Sequence, residues 1–96
     1  MNDTLSVKIQ SADSHILPFE CDSVLIPITD DRAGKFSGVY GVKKGHASAL
    51  FSLKKGDVVV SKDGSIIFTA EISEGFALIE NNILSITVDN FIEKVK

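Results

Sequence analysis

Leu5, Val7 and Ile9 alternate with Ser6, Lys8 and Gln10. A period of two places the three apolar side chains on one face of a half-buried strand. Ser11 to Ser14 reads as a polar turn, and Ile16 to Phe19 as a short strand that Pro18 confines to an edge or an end. Val24 to Thr29 is a further strand. Pro27 within it has no N–H to give to a ladder, so its nitrogen is expected to face outward from the sheet. Thr29 to Gly38 is the longest polar stretch and is expected to be an exposed loop with Phe36 as its one apolar residue. Ala47 to Leu53 is apolar apart from Ser48 and Ser52 and shows no clear period.

Lys54-Lys55-Gly56 predicts a tight turn, and the β-branched run Val58-Val59-Val60 predicts a strand. Asp63-Gly64 is a two-residue hairpin signal, because a type I′ turn needs positive φ at both positions. The returning strand, Ser65 to Ile72, is expected to put Ile66, Phe68, Ala70 and Ile72 on one face. Glu74-Gly75 interrupts the pattern, Phe76 to Glu80 follows as a strand, and Asn81-Asn82 suits a second tight hairpin. Leu84, Ile86 and Val88 alternate with polar residues in a last strand. Asn90 to Lys96 is expected to be one turn of helix or a frayed end. Short strands at this spacing, with no amphipathic helix of normal length, predict an all-β domain. The expected form is a small β-sandwich or flattened barrel of about nine to ten short antiparallel strands. Residues 1–89 are expected to form that domain and 90–96 a short C-terminal tail, and no helical hairpin domain is expected.

Composition narrows the function. The 96 residues allow one domain, and 44% apolar with 24% charged residues is ordinary for a folded globular chain. A net charge of −3, with thirteen acids against ten bases, opposes nucleic-acid binding, which depends on neutralising phosphates. Lys43-Lys44 and Lys54-Lys55 are the only adjacent lysine pairs. Cys21 is the single cysteine, so an intrachain disulfide is excluded. The polar start Met1-Asn2-Asp3-Thr4 does not read as a signal peptide or an Arg-rich transit segment, and no run approaches the ~20 apolar residues of a membrane helix.

The residues offer no catalytic constellation. Gly41-Val42-Lys43-Lys44-Gly45-His46 lacks the spacing of a phosphate loop. His15, His46 and Cys21 lack the clustered spacing of a zinc site, and Asp30-Asp31 lacks the alternating oxygen ligands of a calcium loop. No nucleophile elbow or paired carboxylates appear. No cofactor and no metal are expected. A non-catalytic binding role suits the chain best. The alternative from the residues alone is an unrelated β-sandwich or barrel holding a small ligand, or a metal through His15 and His46.

Gly38-Val39-Tyr40-Gly41-Val42-Lys43-Lys44-Gly45-His46-Ala47 resembles the G-x-L-G-[IV]-x-x-G-H-A signature of the epsilon subunit of F-type ATP synthases, called delta in mitochondria. Leu53-Lys54-Lys55-Gly56 resembles that family's turn before the next strand. Ile72-Ser73-Glu74-Gly75-Phe76 resembles its Ser-Gly-Gly turn, and Ile83 to Asp89 its last sandwich strand. Val7 to Ala12 resembles its opening strand, so the likeness runs from about residue 5 to 89. Three features depart from the pattern. Ser48 stands where the family often has proline, Val39 where it often has an acid facing the rotor ring, and the sequence ends at Lys96 without the usual two C-terminal helices.

The resemblance implies a rotor part of the central stalk, a non-catalytic subunit of the proton-translocating ATP synthase. Such a part binds the gamma subunit and the c-ring and couples proton flow to ATP synthesis. The resemblance places Val39, Tyr40, Val42, Lys43 and Lys44 near the c-ring, and His46 and Ser48 near gamma. The glycine-rich stretch is expected to act as a loop whose backbone approaches a partner. The implied location is peripheral, at the cytoplasmic face of a bacterial inner membrane, held there by partner proteins. Without the helices, inhibition of ATP hydrolysis by that route is not expected.

Overall fold

A computed structural model describes residues 4–30 and 36–94. Ten strands form among them: β1 Leu5–Gln10, β2 His15–Cys21, β3 Ser23–Asp30, β4 Phe36–Lys43, β5 Ala49–Leu53, β6 Gly56–Lys62, β7 Ser65–Ile72, β8 Gly75–Glu80, β9 Ile83–Val88 and β10 Phe91–Lys94. No helix occurs among the described residues. The strands join in the order β10-β7-β6-β3-β5-β8-β9-β1-β2, with β4 paired to β3. All pairs are antiparallel except β1 with β9, which run parallel from Ser6↔Ile83 to Gln10↔Thr87.

Strand β3 is where the sheet folds onto itself. One edge holds β4 through eight consecutive partners, from Ser23↔Lys43 to Asp30↔Phe36. The other edge takes β6 at Ser23 to Leu25 and then β5 at Ile28 and Thr29. Pro27 sits at the change of partner. Its carbonyl accepts a hydrogen bond from the Lys54 N–H at 3.0 Å. A residue of an antiparallel strand turns N and C=O to the same side, so the missing donor faces the seam between β5 and β6. The outward-facing nitrogen expected at a sheet edge is therefore a nitrogen at an internal seam. Gly56 lies against it: a Cβ there would stand 2.9 Å from Pro27 Cβ.

The core lies between the two halves. Val58, Val60, Ala70 and Ile72 from one half share a single buried cluster with Leu5, Val7, Ile9, Ala77, Ile79, Leu84 and Ile86 from the other and with Val24, Ile26 and Val42. The far edge nearly completes a barrel. The Asp22 N–H donates to the Ser61 carbonyl at 2.9 Å, and Phe19 meets Phe68 edge-on at 5.5 Å. Such an aromatic pair contributes about 0.5–1.5 kcal/mol beyond its buried area.

Both expected hairpins form. Asp63 and Gly64 have φ of 53° and 79°, and Asn81 and Asn82 have 52° and 62°. Pro18 lies on β2, the terminal strand of the order, where the pairing with β1 shifts between Val7 and Ile9. Four expectations change. The stretch expected as a loop gives Thr29 and Asp30 to β3 and begins β4 at Phe36. Residues 31–35, Asp31 among them, and the Phe36 side chain lie outside the described residues. The glycine-rich stretch from Gly38 to Lys43 is strand, not loop. On β7 a register shift opposite Val60 and Ser61 breaks the alternation. Phe68, Ala70 and Ile72 still turn inward, but Ile66 joins Ile67 on the exposed side. Phe91–Lys94 is strand rather than helix or frayed end, because its backbone pairs with Thr69 to Ile72 of β7. Val95 and Lys96 lie outside the described residues.

Candidate functional site

Strand β4 alternates its side chains across the sheet, and this splits the candidate residues. Val42 is fully buried in the core, so it presents no surface and leaves the set of c-ring contacts. Tyr40 turns to the same side and packs half-buried against the core. Val39, 64% exposed, and Lys43 turn to the outer face. Lys44 and Ser48 are exposed in the connection to β5.

Tyr40 and His46, placed by resemblance beside different partners, are one structural unit. The Tyr40 hydroxyl lies 2.8 Å from His46 Nε2, and His46 Nδ1 lies 2.7 Å from the Ala47 carbonyl oxygen. A carbonyl only accepts, so in the neutral ring Nδ1 carries the proton and Nε2 accepts from the Tyr40 hydroxyl. Phe51 completes an aromatic cluster, with its ring centre 4.9 Å from Tyr40 and 5.9 Å from His46.

The turn that carries His46 is fixed from both sides. The His46 N–H donates to the Lys43 carbonyl at 3.2 Å. The Gly45 N–H donates to Asn82 Oδ1 at 2.8 Å, and Gly45 takes φ of 84°, which an L side chain rarely adopts. The Asn81-Asn82 hairpin thereby anchors the signature turn. Sequence reasoning assigned Asn82 only a turn role and gave Phe51 none. Their partners are distant in the chain or on another strand, so local pattern carries no sign of them.

A second exposed feature was also missed. Leu50 on β5 stands directly opposite Leu78 on β8, and they are 68% and 41% exposed. Phe76, two residues from Leu78, is half-exposed on the same outer face. Strict alternation puts alanine and isoleucine of β8 inward and these three outward, which is an apolar outer face rather than a solvated one.

Chemistry is sparse. Both ring nitrogens of His46 have protein partners. His15 pairs with Gln10 at the other end of β1 from Ser6, whose N–H donates to Asn82 beside Gly45. The two histidines thus lie toward opposite ends of β1, whose four steps from Ser6 to Gln10 span about 13 Å, too far to share a metal. Among the described residues no group of three or more His, Cys, Asp or Glu is placed to hold an ion. Cys21 is buried, and burial pushes its thiol up to about 11, with the Asp22 charge adding to the rise and Lys62 opposing it. It lines a shallow depression of about 370 Å³ with Thr4, Leu5, Asp22, Lys43 and Lys44. A protonated thiol there is a packing group, not a nucleophile.

Residues 4–94 match the family described as ATP synthase, Delta/Epsilon chain, beta-sandwich domain. The chain belongs to that family. As a delta/epsilon β-sandwich domain it shares its fold with a chain of the Euglena gracilis mitochondrial ATP synthase, solved as OSCP/F1/c-ring in rotational state 1. That likeness has a TM-score of 0.79 at 19% identity, over 100% of this chain and 58% of the other. A chain of the Tetrahymena thermophila mitochondrial ATP synthase, from a structure of the central stalk and c-ring, matches with a TM-score of 0.72 at 10% identity. It covers 94% of this chain and 66% of the other. The chain thus spans less than two thirds of either neighbour. Curated protein sequences give no match. Among the described residues no helix is long and apolar enough to cross a membrane.

Proposed function

We propose that this delta/epsilon β-sandwich domain is a non-catalytic rotor part of an F-type ATP synthase that binds the gamma subunit and the c-ring and couples proton flow to ATP synthesis. The observation that carries the reading is the family match over residues 4–94. Two features of the surface support it. The signature turn is immobilised by Asn82 and by the Tyr40–His46 bond. The outer faces carry exposed apolar side chains of the kind that stable interfaces bury over roughly 1,200–2,000 Å².

The c-ring contact consists of Val39, Lys43 and Lys44, on the strand whose Tyr40 holds His46 from behind. Val39 in place of an acid makes this contact apolar at its centre and cationic at its end. The gamma contact consists of His46 and Ser48. It continues into the adjoining β5, whose exposed Leu50 forms one apolar face with Leu78 and Phe76. The domain is peripheral to the membrane and is held there by its partners. Both structural neighbours are mitochondrial, so the narrower bacterial placement expected from the sequence has no support from them.

Co-purification tests the reading. The tagged chain should retain a gamma subunit from an F-type assembly, and His46→Ala or Tyr40→Ala should weaken that retention while the isolated domain stays folded. Failure of the unaltered chain to retain gamma would sink the proposal, as would stoichiometric metal in the purified protein.

A further inference from the structure

Three strands leave an edge uncovered by any other described strand: β10 and β2 at the ends of the order, and β4 on the free side of its pairing with β3. Exposed edges invite pairing with other chains, and proteins usually blunt them with proline, bulges, charge or shortness. Two of the three are blunted. β10 has four residues, two of them Glu93 and Lys94. β2 contains Pro18, its pairing with β1 is shifted, and the next residue, Asp22, already donates its N–H to Ser61.

β4 has none of these protections. Its eight residues, FSGVYGVK, include no proline and no charge before Lys43, and its pairing with β3 runs without a shift. Pro27 turns its peptide groups toward Lys54 and away from β4. Its register partner Val39 therefore does not use its own N–H and C=O in the β3 ladder. By the same alternation the N–H and C=O of Gly41 also point to the free edge. Among the described residues, no backbone hydrogen bond outside the ladders uses these groups. The sheet face is uncrowded at its two glycines as well. A Cβ at Gly38 would meet nothing within 4 Å, and one at Gly41 only Leu25 Cδ2 at 3.5 Å.

The geometry points to β4 as a strand-addition site: an extended segment of a different polypeptide pairs with the Val39 and Gly41 backbone, uncharged at its centre and with a carboxylate beside Lys43 and Lys44. Main-chain bonds supply affinity in this mode and side chains at alternate positions supply specificity. A second copy of this chain is the poorer occupant, because β4 carries no acid to meet the two lysines. The inference uses the edge of Val39, Lys43 and Lys44 that the rotor reading gives to the c-ring, but it stands on the backbone of β4 and does not depend on that reading.

The test uses the isotope-labelled full chain and a synthetic peptide of alternating valine and threonine that ends in two glutamates. Amide exchange read by NMR should slow at Val39 and Gly41 by roughly tenfold or more, with the amides of β2 and β10 unchanged. A peptide ending in lysines should protect less. Val39→Pro removes an N–H that β3 does not use, so the variant should fold normally and lose the protection at Gly41. Val39→Lys, which blunts the edge without changing the backbone, gives a second reading should the proline disturb the strand. The inference is overturned by unchanged exchange at Val39 and Gly41 up to the peptide's solubility limit, or by protection at β2 or β10 instead. Protection without peptide that rises with chain concentration would assign the edge to a second copy and likewise overturn it.

Discussion

The hydroxyl of Tyr40 stands 2.8 Å from Nε2 of His46, and this bond joins residues that the family resemblance assigns to separate contacts. Tyr40 belongs to the strand that carries Val39 and Lys43, and His46 to the turn that leads to Ser48 and β5. A change at either end is therefore felt at both. Tyr40→Phe keeps the ring on Phe51 but leaves Nε2 without its donor. It should lower stability by about 0.5–1.5 kcal/mol, read from urea unfolding, and the double change with His46→Ala should cost less than the sum of the two single changes. Full additivity of the two changes would show that the bond does not couple the contacts.

Gly75 and Gly38 should respond in opposite ways to alanine. A Cβ at Gly75 would collide with the Thr87 carbonyl oxygen and with Val88 on the neighbouring strand, whereas one at Gly38 meets open space. Gly75→Ala should cost more than about 3 kcal/mol or abolish folding, and Gly38→Ala should stay within about 0.5 kcal/mol of the parent. Thermal unfolding of the two variants decides it.

Cys21 should resist alkylation at neutral pH while the domain is folded and react once it is unfolded in urea. Its folded value of about 11 lies above the ordinary 9.0. The unfolded chain therefore releases the proton first as pH rises. The contribution of the protonated thiol is fully present below about pH 9 and is lost as pH climbs through 11. The rise corresponds to a few kcal/mol at most. Cys21→Ser carries no group that titrates in this range, so comparing the pH slope of parent and variant between about pH 8 and 11 isolates the thiol.

Lys43→Glu with Lys44→Glu should leave the unfolding midpoint nearly unchanged, because both side chains are exposed. Association with the c-ring should weaken, and its dependence on salt should become shallower. Titration at several ionic strengths measures this.

The sequence made the strands legible wherever one face is buried and the other wet, as in Leu5-Val7-Ile9 and Leu84-Ile86-Val88. It made both hairpins legible because aspartate, asparagine and glycine tolerate positive φ. It concealed β4 because Gly38 and Gly41 blur the alternation, although Tyr40 and Val42 point inward as a strand requires. The shift on β7 that exposes Ile66 depends on the partner strand, and the parallel β1–β9 pair joins segments more than 70 residues apart. For the site, motif spacing marked His46 and Tyr40 but not the bond between them. It counted Val42 as a contact because a motif does not say which way a strand residue faces.

Coupling in a complete assembly tests the central claim most directly. The chain is added to an F-type ATP synthase stripped of its own delta/epsilon subunit in sealed vesicles, and ATP synthesis driven by a proton gradient is measured. The account predicts that synthesis returns with the chain and is weaker with His46→Ala. A chain that binds no component of the assembly, or that binds and leaves synthesis at the stripped level, would contradict it.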